Sequence, residues 1–332
     1  MNVRRRLIST TAVTAAVTLG VVTLSACGGS SDAADKGSDG KLDVVASFYP
    51  MQYLAEQIGG GHVAVNTLTK PGVEPHDLEL KPKQIGELGE ADVVLYLKGI
   101  QPAVDDAIAQ AGVKNTVDAA TLTTLEKHGT EVGHEGHDHA DGEHAEEAAD
   151  HGHDHGSEAG ADPHIWLDPV KYAEVAKGVG SALEKADPAN AADYKKNTDA
   201  LVKKLGDLNT DFANGLKNTT TKTFITTHSA FGYLAERYGL DQEGISGIDP
   251  ESEPSPARIK ELQDVARQDK VTTVFFETLA SDKTAKTLAG DTGLKTDVLD
   301  PLEGITDTSK GDDYIEVMRS NLAALQKALG AK

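Results

Sequence analysis

A single cysteine, Cys27, occurs in the chain, so no disulfide can form within it. There is a single tryptophan, Trp166, and no Lys or Arg between Lys127 and Lys171. Bases are scarce overall: 32 Lys and Arg face 53 Asp and Glu, a formal net charge of -21. That balance argues against nucleic acid, whose binders carry basic patches. It suits a protein that meets cations, although solubility accounts for it equally well. No His-Glu-x-x-His stretch is present, which removes a common signature of zinc hydrolases. The apolar stretch 7–24 is too short and too rich in Thr for a membrane span.

What the first forty residues do contain has the shape of an export signal. Arg4, Arg5 and Arg6 form a basic start, the apolar stretch follows, and Leu24-Ser25-Ala26-Cys27 closes it with small residues. The ending resembles the bacterial lipobox, whose cysteine is lipidated and becomes the new N-terminus. A lone thiol in an oxidising compartment needs a reason, and lipid attachment supplies one. We therefore expect 1–26 to be a signal peptide, Cys27 to carry the anchor, and 27–40 to be a flexible tether of small polar residues. The mature chain would sit on the extracytoplasmic face of the cell membrane.

From Lys41 short apolar runs alternate with helical ones. Strands are expected at 42–46, 63–68, 92–97 and 113–117, with helices at 51–58, 83–89 and 102–111. Asp168 and Pro169 open a helix at 169–185, and a longer one runs from about 189 to 216. The alternation then returns: strands at 223–227, 271–276 and 296–299, helices at 231–238, 258–268, 283–289 and 314–329. Such alternation predicts an α/β protein with mostly parallel sheets flanked by helices. We expect two lobes, 41–187 and 218–332, joined by the long helix within 188–217. Ligands of such sheets bind at the carboxyl ends of the strands, which here means the cleft between lobes.

Twelve histidines are present, and eight of them fall between His128 and His155 among acids and small residues. The segment 128–161 has almost no apolar content and is expected to be a solvated loop. A tag would be a terminal run of pure His, so His134, His137, His139, His144, His151, His153 and His155 are read as secondary metal ligands. Of the other four, His62 stands in a Gly-rich turn and is expected at the surface. His76 and His164 share an acid-Pro-His pattern, in Glu74-Pro75-His76 and Asp162-Pro163-His164, where proline stiffens the approach. His228 directly follows the predicted strand 223–227. Three imidazoles and one carboxylate make the four-coordinate shell that Zn²⁺ prefers. Glu303, Glu277 and Glu74 are all candidates for the carboxylate, and composition does not choose among them.

An ordered set of segments carries a resemblance through nearly the whole mature chain: Ser47-Phe48-Tyr49-Pro50, Gly72-Val73-Glu74-Pro75-His76-Asp77, the His-rich acidic run, and Asp162-Pro163-His164-Ile165-Trp166-Leu167-Asp168-Pro169. It continues with Thr227-His228-Ser229-Ala230-Phe231-Gly232-Tyr233, Phe276-Glu277 and Asp300-Pro301-Leu302-Glu303. These resemble the metal-specific substrate-binding lipoproteins of bacterial ABC importers, in particular the zinc-binding members. The resemblance implies two α/β lobes bridged by a rigid helix, with Zn²⁺ as transported ligand between them. It assigns His76 and His164 from the first lobe, and His228 and Glu303 from the second, as ligands. Manganese-specific relatives have an acid where His228 stands, so His228 favours zinc. The partners implied are the zinc ion, an ABC permease of the cytoplasmic membrane and, through the anchor, the membrane itself; the protein would act as a monomer and not as an enzyme.

Other function classes remain open at this stage. A zinc hydrolase would need an open coordination position and a general base, for which Glu277 or Glu74 could serve if Glu303 were not a ligand. A manganese- or other-metal-binding lipoprotein, a metal buffer or a surface adhesin would share the same site.

Overall fold

The computed structural model describes residues 40–113, 115–128 and 161–332. The export signal, Cys27, the tether and the seven histidines from His134 to His155 lie outside the described residues. Among the described residues no helix is long and apolar enough to cross a membrane.

Two four-stranded parallel sheets form the frame. In the first, β1 (Leu42–Ala46), β2 (Val63–Thr67), β3 (Val93–Tyr96) and β4 (Thr116–Asp118) lie in the order β2-β1-β3-β4. The helices α1 (Tyr49–Gly59), α2 (Pro82–Glu90) and α3 (Pro102–Ala111) connect them. Then come α4 (Pro169–Ala186) and the long α5 (Ala191–Gly215). The second sheet repeats the pattern as β6-β5-β7-β8, from β5 (Thr223–Thr226), β6 (Asp241–Gly244), β7 (Thr273–Phe276) and β8 (Lys295–Val298). Its helices are α6 (Gly232–Tyr238), α7 (Pro256–Gln268), α8 (Lys283–Thr292) and α9 (Tyr314–Leu329).

Side chains alternate along each central strand and so face two different cores. Val44 on β1, Val93 and Leu95 on β3, Phe224 on β5 and Phe275 on β7 join one large cluster that runs through both lobes. Their neighbours turn outward: Val45 and Val94 pack with Leu88 and Val104, while Ile225 and Val274 pack with Leu262 and Leu288. Each sheet is therefore covered on both faces, which is why its central strands are mostly apolar.

The long helix packs on α1 and α4 from one side of the molecule and on α9 from the other. Its buried residues Tyr194, Thr198, Leu201, Leu205, Leu208 and Phe212 recur every three or four positions, a single face about 27 Å long at 1.5 Å per residue. Gly180 on α4 lets it close up, since a Cβ there would meet the Thr198 hydroxyl at 2.3 Å.

Element ends shift by a few residues from the sequence-based expectation, and one strand was not expected at all. Strand β4 begins at Thr116 rather than 113, because Gly112 ends α3 in the left-handed conformation and the chain needs residues to turn back. Strand β6 has the sequence Asp-Gln-Glu-Gly at the sheet edge, with no apolar period to reveal it. Neither His62 nor His128 is a freely solvated side chain. His62 ends a short 3-10 turn, bonds Asp193 at 3.0 Å and sits edge-on to Tyr194 of α5. His128 was expected to begin the solvated loop, yet it is half-buried against Tyr233.

Candidate metal centre

Every polar side chain that converges between the lobes leaves the carboxyl end of a strand or a proline-stiffened turn. His76 lies in the loop after β2, and His164 opens a 3-10 turn, Ile165–Leu167, that leads into α4. His228 follows β5 directly, and Glu303 stands in the turn after β8. His164, His228 and Glu303 are fully buried, and the His76 side chain is 10% exposed.

The three imidazoles point their Nε2 atoms at one oxygen. Glu303 Oε1 lies 3.4 Å from His76 Nε2, 3.2 Å from His164 Nε2 and 3.3 Å from His228 Nε2. His164 Nε2 and His228 Nε2 are 3.4 Å apart. A tetrahedral zinc shell with bonds of about 2.0–2.1 Å has edges of about 3.3–3.4 Å between ligand atoms. The donor spacing is thus that of such a shell. Glu303 Oε2 is buried without a hydrogen-bond partner, a costly state for a carboxylate that a cation would relieve.

Behind the donors, carboxylates fix two of the rings. Asp162 Oδ1 lies 2.7 Å from His164 Nδ1 and accepts the His164 backbone N–H at 2.9 Å. Glu277 Oε1 lies 2.7 Å from His228 Nδ1 and also accepts from the Thr227 hydroxyl. Such contacts hold Nδ1 as the donor and leave Nε2 free to ligate. Glu277 therefore orients His228 rather than joining the converging set. Glu74 accepts the His76 backbone N–H at 3.1 Å and steadies that loop. The unexpected strand β6 contributes as well, because Gln242 donates to the His228 carbonyl at 3.1 Å.

The turn that presents Glu303 is built by Asp300. Its Oδ1 accepts the Leu302 N–H at 2.9 Å, its Oδ2 accepts from Thr278 and Ser309, and Asn321 of α9 brackets its backbone. Leu302 takes a left-handed φ of 58°, uncommon for a branched residue and held here by complete burial. Nothing in the sequence marks that conformation.

Charge is concentrated at this point. Burial would raise the Glu303 carboxyl, but the His228 charge and hydrogen bonds from His164, His228 and His76 hold it well below the ordinary range. Burial would lower His228, yet the charges of Glu277 and Glu303 carry it well above its usual value. His164 is raised in the same sense, by Asp162 and Glu303 against burial. Glu74, by contrast, is pushed up to about 9 by desolvation and by the nearby Glu303 charge.

Two parallel α/β lobes with a buried donor set between them define a cleft-type solute-binding protein. Residues 44–328 match the family described as zinc-uptake complex component A, periplasmic, and the chain belongs to that family. It is 38% identical over 316 residues to the high-affinity zinc uptake system protein ZnuA of Bacillus subtilis, covering 93% of this chain and 94% of that one. It is 36% identical over 298 residues to the zinc-binding lipoprotein AdcA of Streptococcus pneumoniae, and there it spans only 56% of the relative's length. Among solved structures, the Zn(II)-bound ZnuA-like domain of that AdcA superposes with a TM-score of 0.69 at 32% identity, covering 87% of this chain and 99% of the domain. The laminin-binding protein Lmb of Streptococcus agalactiae, described as bifunctional with adhesin and metal transporting activity, gives 0.72 at 31% identity, covering 87% of this chain and 99% of that one.

Proposed function

We propose that this chain is an extracytoplasmic receptor that captures Zn²⁺ between its lobes and delivers it to an ABC permease for uptake. The ligands in this reading are His76, His164, His228 and Glu303. The observation that carries it is the meeting of three imidazole Nε2 atoms at a single buried carboxylate oxygen, at 3.2–3.4 Å. Three imidazoles select a borderline cation over the harder manganese. Four protein donors also fill a tetrahedral shell, which leaves no open position for the activated water that a hydrolase requires. The ion is accordingly cargo rather than a catalyst.

The finer assignments follow from the sequence. Cys27 carries a lipid anchor, 28–40 tethers the fold, and the protein works as a monomer on the outer face of the cell membrane. Residues 41–187 and 218–332 act as two lobes about the helix within 188–217. Replacing Cys27 with Ala should move the protein from the membrane to the soluble fraction, and unchanged membrane association would refute the anchor.

Zinc accumulation tests the whole reading. Cells lacking this protein should take up less zinc at low external concentration. The wild-type chain should restore uptake and a His228→Ala chain should not. Equal rescue by both would overturn the proposal.

A further inference from the structure

A second group of metal-type donors lies outside the cleft. Glu126, His128 and Glu236 each offer a donor atom, all within 4.8 Å of one another. Glu126 and His128 come from the segment after β4, and Glu236 comes from α6 of the other lobe. None of the three belongs to the set that meets at Glu303.

The geometry around His128 repeats that around His164. One buried carboxylate, Asp162, serves both rings: Oδ1 lies 2.7 Å from His164 Nδ1, and Oδ2 lies 3.0 Å from His128 Nδ1. Each ring then turns its Nε2 toward a second carboxylate. For His164 that is Glu303 Oε1 at 3.2 Å, and for His128 it is Glu236 Oε2 at 2.9 Å. A carboxylate on one ring nitrogen and an acid facing the other is the arrangement that prepares histidine as a ligand.

The seat of His128 is built. A Cβ on Gly232 would meet His128 Cβ at 2.3 Å and Asp162 Oδ2 at 3.0 Å, so only glycine at the start of α6 admits the ring. Tyr233 packs edge-on against it with centroids 4.4 Å apart. The Tyr233 hydroxyl accepts the Glu126 N–H at 2.8 Å and donates to the Asp162 carbonyl at 2.8 Å. Lys171 takes Glu126 Oε1 at 2.6 Å and so competes with a cation for that carboxylate. Glu236 is 61% exposed, so solvent ions reach the group.

We propose that Glu126, His128 and Glu236 form a second divalent-cation site, tied to the cleft site through Asp162. One imidazole and two carboxylates suit a first-row transition ion such as Zn²⁺, with water completing the shell. Exposure and the competing lysine make it the weaker of the two. A cation on His128 strengthens the pull of its Nδ1–H on Asp162 and withdraws charge from the carboxylate that supports His164. Occupancy of either site therefore weakens the other, by the same factor in both directions. The coupling rests on the cleft reading given above; the second site itself does not.

The test uses the full mature chain with the seven histidines from His134 to His155 replaced by Asn, titrated with zinc alone. Two ions are expected, one tight and one weaker. His128→Gln keeps a hydrogen bond to Asp162 without an imidazole, and the exposed Glu236→Gln leaves the fold untouched. Each should remove the weaker ion and leave the tight one. A weaker ion that survives both changes, or a single ion in the parent, would overturn the site. In a His228→Ala chain the weaker ion should bind severalfold tighter than in the cleft-loaded parent. Equal affinity in the two would overturn the coupling, whatever becomes of the cleft assignment.

Discussion

Replacing Glu277 with Gln keeps the side chain's shape while removing the charge that faces His228 Nδ1 at 2.7 Å. Loss of such a supporting carboxylate costs about 10–100-fold in metal affinity. Competition against a chromophoric chelator should show that loss with one ion still bound, and an unchanged affinity would deny Glu277 its orienting role. Proton competition follows from the same contacts. Because His228 and His164 are raised above the ordinary value of about 6.5, zinc must displace a proton from a more basic ring than usual. Zinc binding should therefore weaken with falling pH from an onset above 6.5, with proton uptake by the buffer visible in calorimetry. For the metal-free protein the sign is opposite. Raised histidines stabilise the fold below their unfolded value, and that contribution is lost as pH rises through the folded one. A metal-free melting temperature that climbs with pH across this range would contradict the ion-paired cluster. The three histidines were legible in the sequence because proline and a strand end flagged them. The placing of Glu303 rather than Glu277 among them was legible only through the family resemblance and not from composition or spacing, since it depends on a left-handed Leu302 and an Asp300-built turn that no periodicity reports.

Among the elements, the 3-10 turn Ile165–Leu167 does most to join the lobes near the site. Trp166 is fully buried, packs edge-on to Phe48 at 5.1 Å, and donates its indole N–H to the Pro301 carbonyl at 2.7 Å. Tyr314 of α9 in turn donates to the Trp166 carbonyl at 2.5 Å. Trp166→Phe should destabilise the chain by about 1–3 kcal/mol for the orphaned carbonyl, plus the cavity left by the lost ring. It should also weaken zinc binding, because His164 is two residues away and Glu303 follows Pro301 by two. Denaturant unfolding with and without zinc measures both effects, and a change under 0.5 kcal/mol would contradict the bridging role. Strong apolar runs such as those of β1, β3 and β7 announced themselves in the sequence. The edge strand β6 did not, because its polar residues form backbone bonds to β5 and its Gln242 side chain holds the His228 carbonyl rather than a core. His128 was hidden for a different reason: its seat depends on Gly232 and Glu236, more than a hundred residues away.

At the scale of the whole molecule, one apolar cluster runs from β1 through α4 and α5 to α9 and the second sheet. The lobes therefore share a core and a spine, and the donors meet at the junction where neither lobe could assemble the set alone. Parallel sheets and a long central helix were readable from alternation and spacing; the shared core was not, because period alone does not say which faces pack together. Zinc at this junction would rest on three imidazoles and one carboxylate. X-ray absorption at the zinc edge, joined to an anomalous-scattering crystal structure of the one-to-one complex, tests it most directly. Three Zn–N bonds of about 2.0–2.1 Å from His76, His164 and His228 are expected, with a Zn–O bond of about 2.0–2.2 Å from Glu303. An ion held by Glu277 or Glu74 with Glu303 turned away, or one found outside the cleft, would contradict it.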